Sequence, residues 1–403
     1  MTNVETRITN ETQNLTDETA HPIRHSSFVL RPSFVIRASL FFLWVSVSLW
    51  FLGSVEQAKA DEESPRLQPY RKNVDRAVDT ALLFLARAQA ENPAGDGSFA
   101  DVHGQTNAVA ALSGMAFLSK GYRPGAPPYG DSINRSIDYI LATDTKNGYL
   151  GVRGGKMYGH SIATLFLSEV SGMVDPARQQ RIDVVLPRAL KIVLEAQAVP
   201  KTEGADSGGW RYEPDSKDSD MSVTGWCLMA LRSARLNGAP VPNKAIDDAL
   251  AYVDRCRDPD GKVRYAAKGD WWYARRGYWV RTPRTVQLSA AALLCRKLSG
   301  RNETDINNAL SATILKALHP NDFFTNEASG GHIEYAAYYA SQAMFQMGGE
   351  PWEQFAETMY RYLLSKQQSN GAWFVESKGE VYPTAMFTLA LTVSYRQLPI
   401  YQR

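Results

Sequence analysis

The sequence predicts an all-α protein, a double-walled barrel of about six helix pairs, on three observations. A unit of amphipathic segment, glycine-aromatic turn and apolar segment recurs six times. The turns stand roughly 40 to 70 residues apart, which leaves room for two helices and two loops per unit. The two segments of each unit also differ in kind: the first shows helical periodicity with its charges outside, and the second is apolar nearly all round.

The first unit opens with Val74 to Gln89, turns at Gly97-Ser98-Phe99 and continues in Thr106 to Leu118. The second has a helix beginning near Ser136 and a turn at Gly148-Tyr149; the third begins near Val184, turns at Gly208-Gly209-Trp210 and runs on through Val223 to Leu231. The fourth begins near Lys244, turns between Gly261 and Tyr265 and includes Leu288 to Leu294. The fifth begins near Ile306 and turns at Gly330-Gly331. The sixth begins near Trp352, turns at Gly371-Ala372-Trp373 and ends with Tyr382 to Leu391. Gly121, Gly172, Gly238, Gly300 and Gly348 stand where left-handed C-caps would end second helices. A helix apolar on every face is surrounded by protein, so the second segments belong inside and the first outside. An open solenoid would need polar capping repeats. The last pair, with Trp373, Met386 and Phe387, is no more polar than the middle ones, so a closed ring is expected.

The chain has 403 residues, 44% of them hydrophobic and 21% charged, an ordinary globular composition. A net charge of +2 gives no reason to expect nucleic acid as a partner. The first sixty residues differ from the rest: Arg24, Arg31 and Arg37 precede an apolar run from Ala38 to Leu52, followed by Ala58-Lys59-Ala60 and the acidic Asp61. This is the pattern of a secretory signal peptide, so residues 1–60 are expected to be a leader and 61–403 an exported single domain, periplasmic or extracellular. The alternative is an uncleaved anchor over residues 38–55, which would make the membrane a partner. Cys227, Cys256 and Cys295 lie in no CxxC spacing and read as small buried residues.

The turn from Gln367 to Trp373 resembles the glutamine-tryptophan repeat of squalene and terpenoid cyclases, and the stretches Gln197 to Trp210 and Gln89 to Phe99 are looser versions. This resemblance implies the α/α toroid shared by those cyclases and protein prenyltransferase β subunits, over nearly the whole chain after the leader. The turn itself is structural, so it speaks to fold more than to function.

In such a barrel the inner helices run the same way and their N-termini gather at one mouth, each with unpaired N–H groups and a partial positive charge. Three of the four histidines after the leader, His103, His160 and His332, stand at or just before predicted inner helices. The corresponding places in the other units hold Asp218 with Asp220, Arg281 with Arg284, and Tyr382; Glu334 is a further carboxylate there. These residues are the candidate ligand-binding rim. The stretch from Asp218 to Thr224 resembles the acidic motif of class II terpene cyclases, whose middle aspartate protonates an alkene or epoxide. Carried over, Asp220 is the acid and Asp218 its partner, but Met221 stands where the motif has its last aspartate. Triterpene cyclases also enclose their substrate between two helical domains, and this chain has one. The plain alternative is that Asp220 or Ser222 caps the helix.

Prenyltransferases hold zinc at such a mouth with aspartate, cysteine and histidine. Here His103, His160 and Asp218 lack the matching cysteine, and no HxH or HExxH pair occurs, so no cofactor is expected. An insert at residues 268–284 interleaves Trp271, Trp272, Tyr273, Tyr278 and Trp279 with Arg275, Arg276, Arg281 and Arg284. It suits an anionic headgroup, a sugar or a polyprenyl diphosphate, or else fastens a lid to the barrel by arginine-aromatic stacking. Whether the protein is an enzyme is left open. The readings are an exported toroid that binds a ligand or a protein at its rim without catalysis, a terpenoid-cyclase-like isomerase, and a prenyltransferase, against which export argues. A carbohydrate-active enzyme would need paired carboxylates from Asp218, Asp220 and Glu334.

Overall fold

Twelve α-helices alternate between two layers in the described part of the computed structural model, which comprises residues 64–102, 104, 106–258, 260–267, 285–318 and 331–401. The outer layer holds α1 (Arg71–Ala90), α3 (Gly130–Ala142), α5 (Pro176–Ala198), α7 (Asn243–Arg255), α9 (Thr304–Ala317) and α11 (Gly349–Lys366). The inner layer holds α2 (Asn107–Ser119), α4 (Lys156–Val170), α6 (Met221–Leu236), α8 (Val286–Leu298), α10 (Ile333–Met347) and α12 (Val381–Leu391). Each inner helix packs on the next in chain order, and α12 packs on α2, so the ring closes. Each outer helix lies behind the inner helix that precedes it, and α1 lies behind α12, the last inner helix of the chain. Closure therefore involves both walls. Ser64–Arg403 forms one compact unit, and no helix among the described residues is long and apolar enough to cross a membrane. The expected leader, residues 1–60, lies outside the described residues.

The division into layers follows the sequence pattern. Nearly every residue of α2 and α12 is buried, whereas α7 buries a single stripe that includes Ile246, Leu250 and Val253. Small residues set how closely the inner helices approach: a Cβ on Gly114 of α2 would come within 2.4 Å of the Phe166 ring of α4. α5 begins at Pro176 rather than near Val184, because Asp175 accepts from the amides of Ala177 and Arg178 and Pro176 needs no amide partner at the first helical position. Gly121, Gly172, Gly238, Gly300 and Gly348 all have positive φ, as left-handed helix ends require.

The glutamine turns do the joining. Gln89 Nε2 donates to Gly97 O at 3.0 Å and to Ser136 Oγ at 3.0 Å on α3. Gln197 repeats this with Gly208 O at 2.9 Å and Ala245 O at 2.8 Å on α7. Gln367 reaches Gly371 O at 2.9 Å and Ala77 O at 2.8 Å, and Ala77 lies on α1, so the last turn is sewn to the first helix. The tryptophans act within their own unit: Trp210 Nε1 donates to Val193 O of α5 at 2.7 Å, and Trp373 Nε1 to Leu363 O of α11 at 2.8 Å. Gly371 shows why glycine is needed here, since its φ is +91° and a Cβ would stand 2.3 Å from Thr80 O. Asp101, from the first unit, accepts the amides of Glu380 at 2.9 Å and Val381 at 2.6 Å and so caps α12 across the closure.

Candidate functional site at the barrel mouth

The parallel inner helices bring their N-termini to one end, and the contacts there confirm it. Ser222, in the first turn of α6, bonds the Tyr335 hydroxyl of α10 at 2.8 Å. Met157, in the first turn of α4, donates its amide to Tyr212 O at 2.9 Å, and Met221 donates to Tyr265 O at 2.8 Å. The starts of α4 and α6 are thus pinned by the turns of the following units.

Asp220 is the N-cap of α6 and accepts from Val223 N–H at 2.8 Å, as the capping alternative expects. It does more than cap. Its own amide donates to Trp210 O at 2.8 Å, and the Trp210 amide donates to Thr224 Oγ1 at 3.1 Å, so the tryptophan turn fixes the carboxyl in place. The side chain is fully buried, and among the described residues its Oδ2 accepts no hydrogen bond. Among the described residues the cation that faces it is Arg211, whose Nε is 3.7 Å from that oxygen. Arg211 also pairs with Asp218 at 3.1 Å and lies over the rings of Tyr212 and Tyr265 at 5.2 and 5.7 Å. Burial pushes the Asp220 carboxyl up to about 6, against the opposing pull of Arg211 and of the Val223 amide. The result is a buried carboxyl raised to about 6, held by the Val223 amide, with the Arg211 guanidinium and the Tyr265 hydroxyl as its other polar neighbours.

The tyrosines around it come from several elements. Tyr212 and Tyr265 meet hydroxyl to hydroxyl, Tyr158 of α4 lies 6.0 Å from Tyr212 between centroids, and Tyr335 follows on α10. Burial raises the Tyr335 phenol well above its ordinary value, so it stays protonated and can donate. Sequence reading passed over Arg211, Tyr212, Tyr265, Tyr158 and Tyr335. Their signal was nonetheless present: Tyr212 and Tyr265 each stand two residues after the buried turn residue, Trp210 in one unit and Val263 in the other.

Glu334 precedes Tyr335 in the first turn of α10. It is fully buried, and neither of its carboxylate oxygens accepts a hydrogen bond among the described residues. His332, at the N-cap of α10 and half exposed, has Nδ1 3.9 Å from Glu334 Oε1, beyond hydrogen-bond reach. The charge of Glu334 also acts on the phenol of Tyr382, in the first turn of α12. A buried polar atom without a partner costs on the order of 1–3 kcal/mol, more if charged, so these oxygens mark a place where donors are wanted.

Aromatic side chains pack in the interior. Trp226 of α6 stacks on Tyr338 at 5.1 Å and meets Tyr339 edge-on at 5.4 Å, both from α10, and all three are fully buried. Gly225 makes the room, since a Cβ there would stand 3.1 Å from the Tyr339 hydroxyl.

One expectation is corrected. His160 is not a rim ligand: its Nδ1 accepts from Leu150 N–H at 3.1 Å and its Nε2 reaches Ala189 O of α5 at 3.0 Å, so it points into the layer between the walls. Burial pushes its pKa down to about 4, and the neutral ring serves as a tie like Thr224 in the next unit. His103 and the insert residues Trp271, Trp272, Arg275, Arg276, Arg281 and Arg284 lie outside the described residues. The structure places Asp218 and Asp220 around Arg211, places His332 and Tyr382 near Glu334, and turns His160 away from the helix starts. Cys227, Cys256 and Cys295 are free and buried. Among the described residues no three or more histidine, cysteine, aspartate or glutamate side chains gather as a metal set.

No protein-family model and no curated protein matches the chain. Solved structures do. An inactive variant of α-1,6-mannanase GH76A of Salegentibacter sp. HEL1_6, in complex with α-1,6-mannotriose, superposes with a TM-score of 0.58 at 11% identity, over 80% of this chain and 98% of its own. Rex8A from Paenibacillus barcinonensis complexed with xylose matches with a TM-score of 0.52 at 13% identity, over 82% and 96%. A variant of type II terpene cyclase MstE from Scytonema, in complex with its product merosterolic acid A, matches with a TM-score of 0.51 at 15% identity, over 82% and 100%. At these identities the likeness is one of fold, and the fold is the α/α toroid that the sequence predicts.

Proposed function

We propose that the chain is a toroid that binds a hydroxyl-rich ligand of the saccharide class at its mouth, between Asp220 and Glu334. The observation that carries this reading is a pair of buried carboxyls, Asp220 with its Oδ2 facing only Arg211 and Glu334 with no hydrogen-bond donor among the described residues, on two inner helices whose first turns meet through the Ser222 and Tyr335 hydroxyls. Carboxylate oxygens accept from vicinal hydroxyls, and phenol rings offer faces against which a sugar can pack. Two structural neighbours are complexes with mannotriose and xylose, which makes saccharides the natural probes.

A second reading, acid catalysis by Asp220 on a polyprenoid, is favoured by one observation: a buried carboxyl whose pKa is raised to about 6 beside an aromatic wall. It requires apolar space beside the acid large enough for a polyprenoid. Calorimetric titration with α-1,6-mannotriose, xylose oligomers and a geranylgeranyl-bearing benzoate separates the two. Binding of a saccharide that Asp220→Asn weakens about tenfold supports the first reading. Turnover of the prenylated compound that Asp220→Asn abolishes supports the second. The reading also places the protein outside the cytoplasm after removal of residues 1–60; cell fractionation with N-terminal sequencing is expected to find a chain beginning at Asp61, and an intact leader on the purified protein would contradict this.

A further inference from the structure

The ring of six helix pairs is complete at Leu391, the end of α12, yet the chain continues and turns back beneath it. Residues 393–401 form two single 3₁₀ turns, Val393–Tyr395 and Pro399–Tyr401, with Arg396 between them in the left-handed region at φ 52°. Leu398, Ile400 and Tyr401 are 4%, 2% and 6% exposed, as deep as core residues. The Tyr401 hydroxyl meets that of Tyr338 at 3.1 Å, and Tyr338 is the residue that stacks on Trp226 inside the barrel. The segment therefore completes the aromatic filling from the end opposite the Asp220 mouth.

Its polar anchor is Glu169, near the C-terminus of α4. This carboxyl is buried; it accepts the Ser233 hydroxyl of α6 on one oxygen and the Ile400 amide on the other at 3.1 Å. Both oxygens are thus used, and the strap supplies one of the two donors.

We propose that residues 393–401 are a removable plug that closes the far end of the toroid, and that protonation of Glu169 governs how tightly it is held. The strap is held by four buried side chains, Val393, Leu398, Ile400 and Tyr401, by the Tyr395 hydroxyl on Asp75 of α1, by Arg396 over the Phe345 ring and by the Glu169 carboxyl, whereas each helix pair is held along its whole length. When the strap lifts, Glu169 and Tyr338 are uncovered at an opening the ring itself leaves. Burial pushes the Glu169 carboxyl up to about 7, while the Ser233 and Ile400 donors pull the other way. The titratable groups facing it are the phenols of Tyr338 on α10 and Tyr401 on the strap. Among the described residues no cationic group acts on it from the neighbouring α2, α5 or α6. A closed strap keeps a proton that a hydrated carboxyl, with its ordinary value of 4.5, would release. The strap is therefore held most tightly at low pH, loosens as pH rises towards about 7, and stays at its loosest above that.

Hydrogen exchange of the full chain, read at residues 393–401 as protection factors corrected for the intrinsic pH dependence, tests this. The opening constant is expected to rise by up to roughly tenfold per pH unit between pH 5 and pH 7 and then to level off, and to be flat with pH in Glu169→Gln. A flat profile in the wild type would overturn the proposal, and so would an unchanged slope in Glu169→Gln. Should the variant fail to fold, the wild-type profile decides alone.

Discussion

The two ends of the toroid each bury a carboxyl group against aromatic side chains, and they finish the job differently. At the far end Glu169 has both oxygens occupied by donors from the same chain, Ser233 and Ile400. At the mouth Asp220 uses one oxygen for the Val223 amide and leaves the other facing Arg211 across 3.7 Å, while Glu334 has no donor among the described residues. Burial alone therefore does not distinguish a structural carboxyl from one poised for a ligand. What distinguishes them is whether the fold supplies all the donors. By that measure the donors of the far end are complete, and among the described residues those of the mouth are not, as the proposed binding there requires.

The largest effect should come from the frame that both ends share. Gly371→Ala puts a Cβ into the Thr80 carbonyl at a positive φ and should cost about 3 kcal/mol or more. In urea unfolding the loss should appear equally in probes at both ends; loss at one end only would mean that they are not coupled through the closure. Asp220→Asn should act at the mouth alone. Because burial raises this carboxyl from an ordinary 3.8 to about 6, its stabilising contribution is full below about pH 4 and is lost as pH rises to about 6. Asparagine caps a helix as well as aspartate. The variant should therefore flatten the stability profile over that range by on the order of 2–3 kcal/mol and be the more stable protein at pH 7.5. A variant that is less stable at pH 7.5 would show that the Arg211 pair outweighs desolvation.

Ser233→Ala removes one Glu169 donor and should cost about 1–2 kcal/mol, raise the carboxyl further and leave the mouth untouched. Carboxyl resonances followed by NMR titration measure this; a Glu169 pKa that stays put would contradict the far-end account. Tyr265→Phe breaks the hydroxyl contact with Tyr212 and should cost about 1 kcal/mol, the smallest of these effects. A thermal shift larger than that of Ser233→Ala would show that the phenol pair holds the mouth together rather than lining it.

The toroid could be read from the sequence because its signals are local and repeated. Gln367, Gly371 and Trp373 each carry a requirement that the fold states at full strength: a donor to two carbonyls, a positive φ against a carbonyl, and an indole N–H for its own helix. The candidate site was legible in part. Asp220, Glu334 and Tyr382 sit at inner-helix starts, where a topological argument finds them. His160 satisfies the same argument yet faces the outer wall, because position along a helix does not reveal the azimuth of a side chain when every face is apolar. Arg211 and Tyr265 belong to turns, and their convergence on Asp220 depends on how one unit leans on the next. The role of Glu169 was invisible, since it needs a segment more than two hundred residues away.

Hydrogen exchange of the full chain with and without a saturating saccharide, α-1,6-mannotriose or the tightest-binding xylose oligomer, tests the difference between the two ends most directly. The account predicts added protection at the first turns of α4, α6, α10 and α12, where Tyr158, Asp220, Glu334 and Tyr382 stand, and none at residues 393–401. Protection confined to residues 393–401, or the absence of any at the mouth, would contradict it.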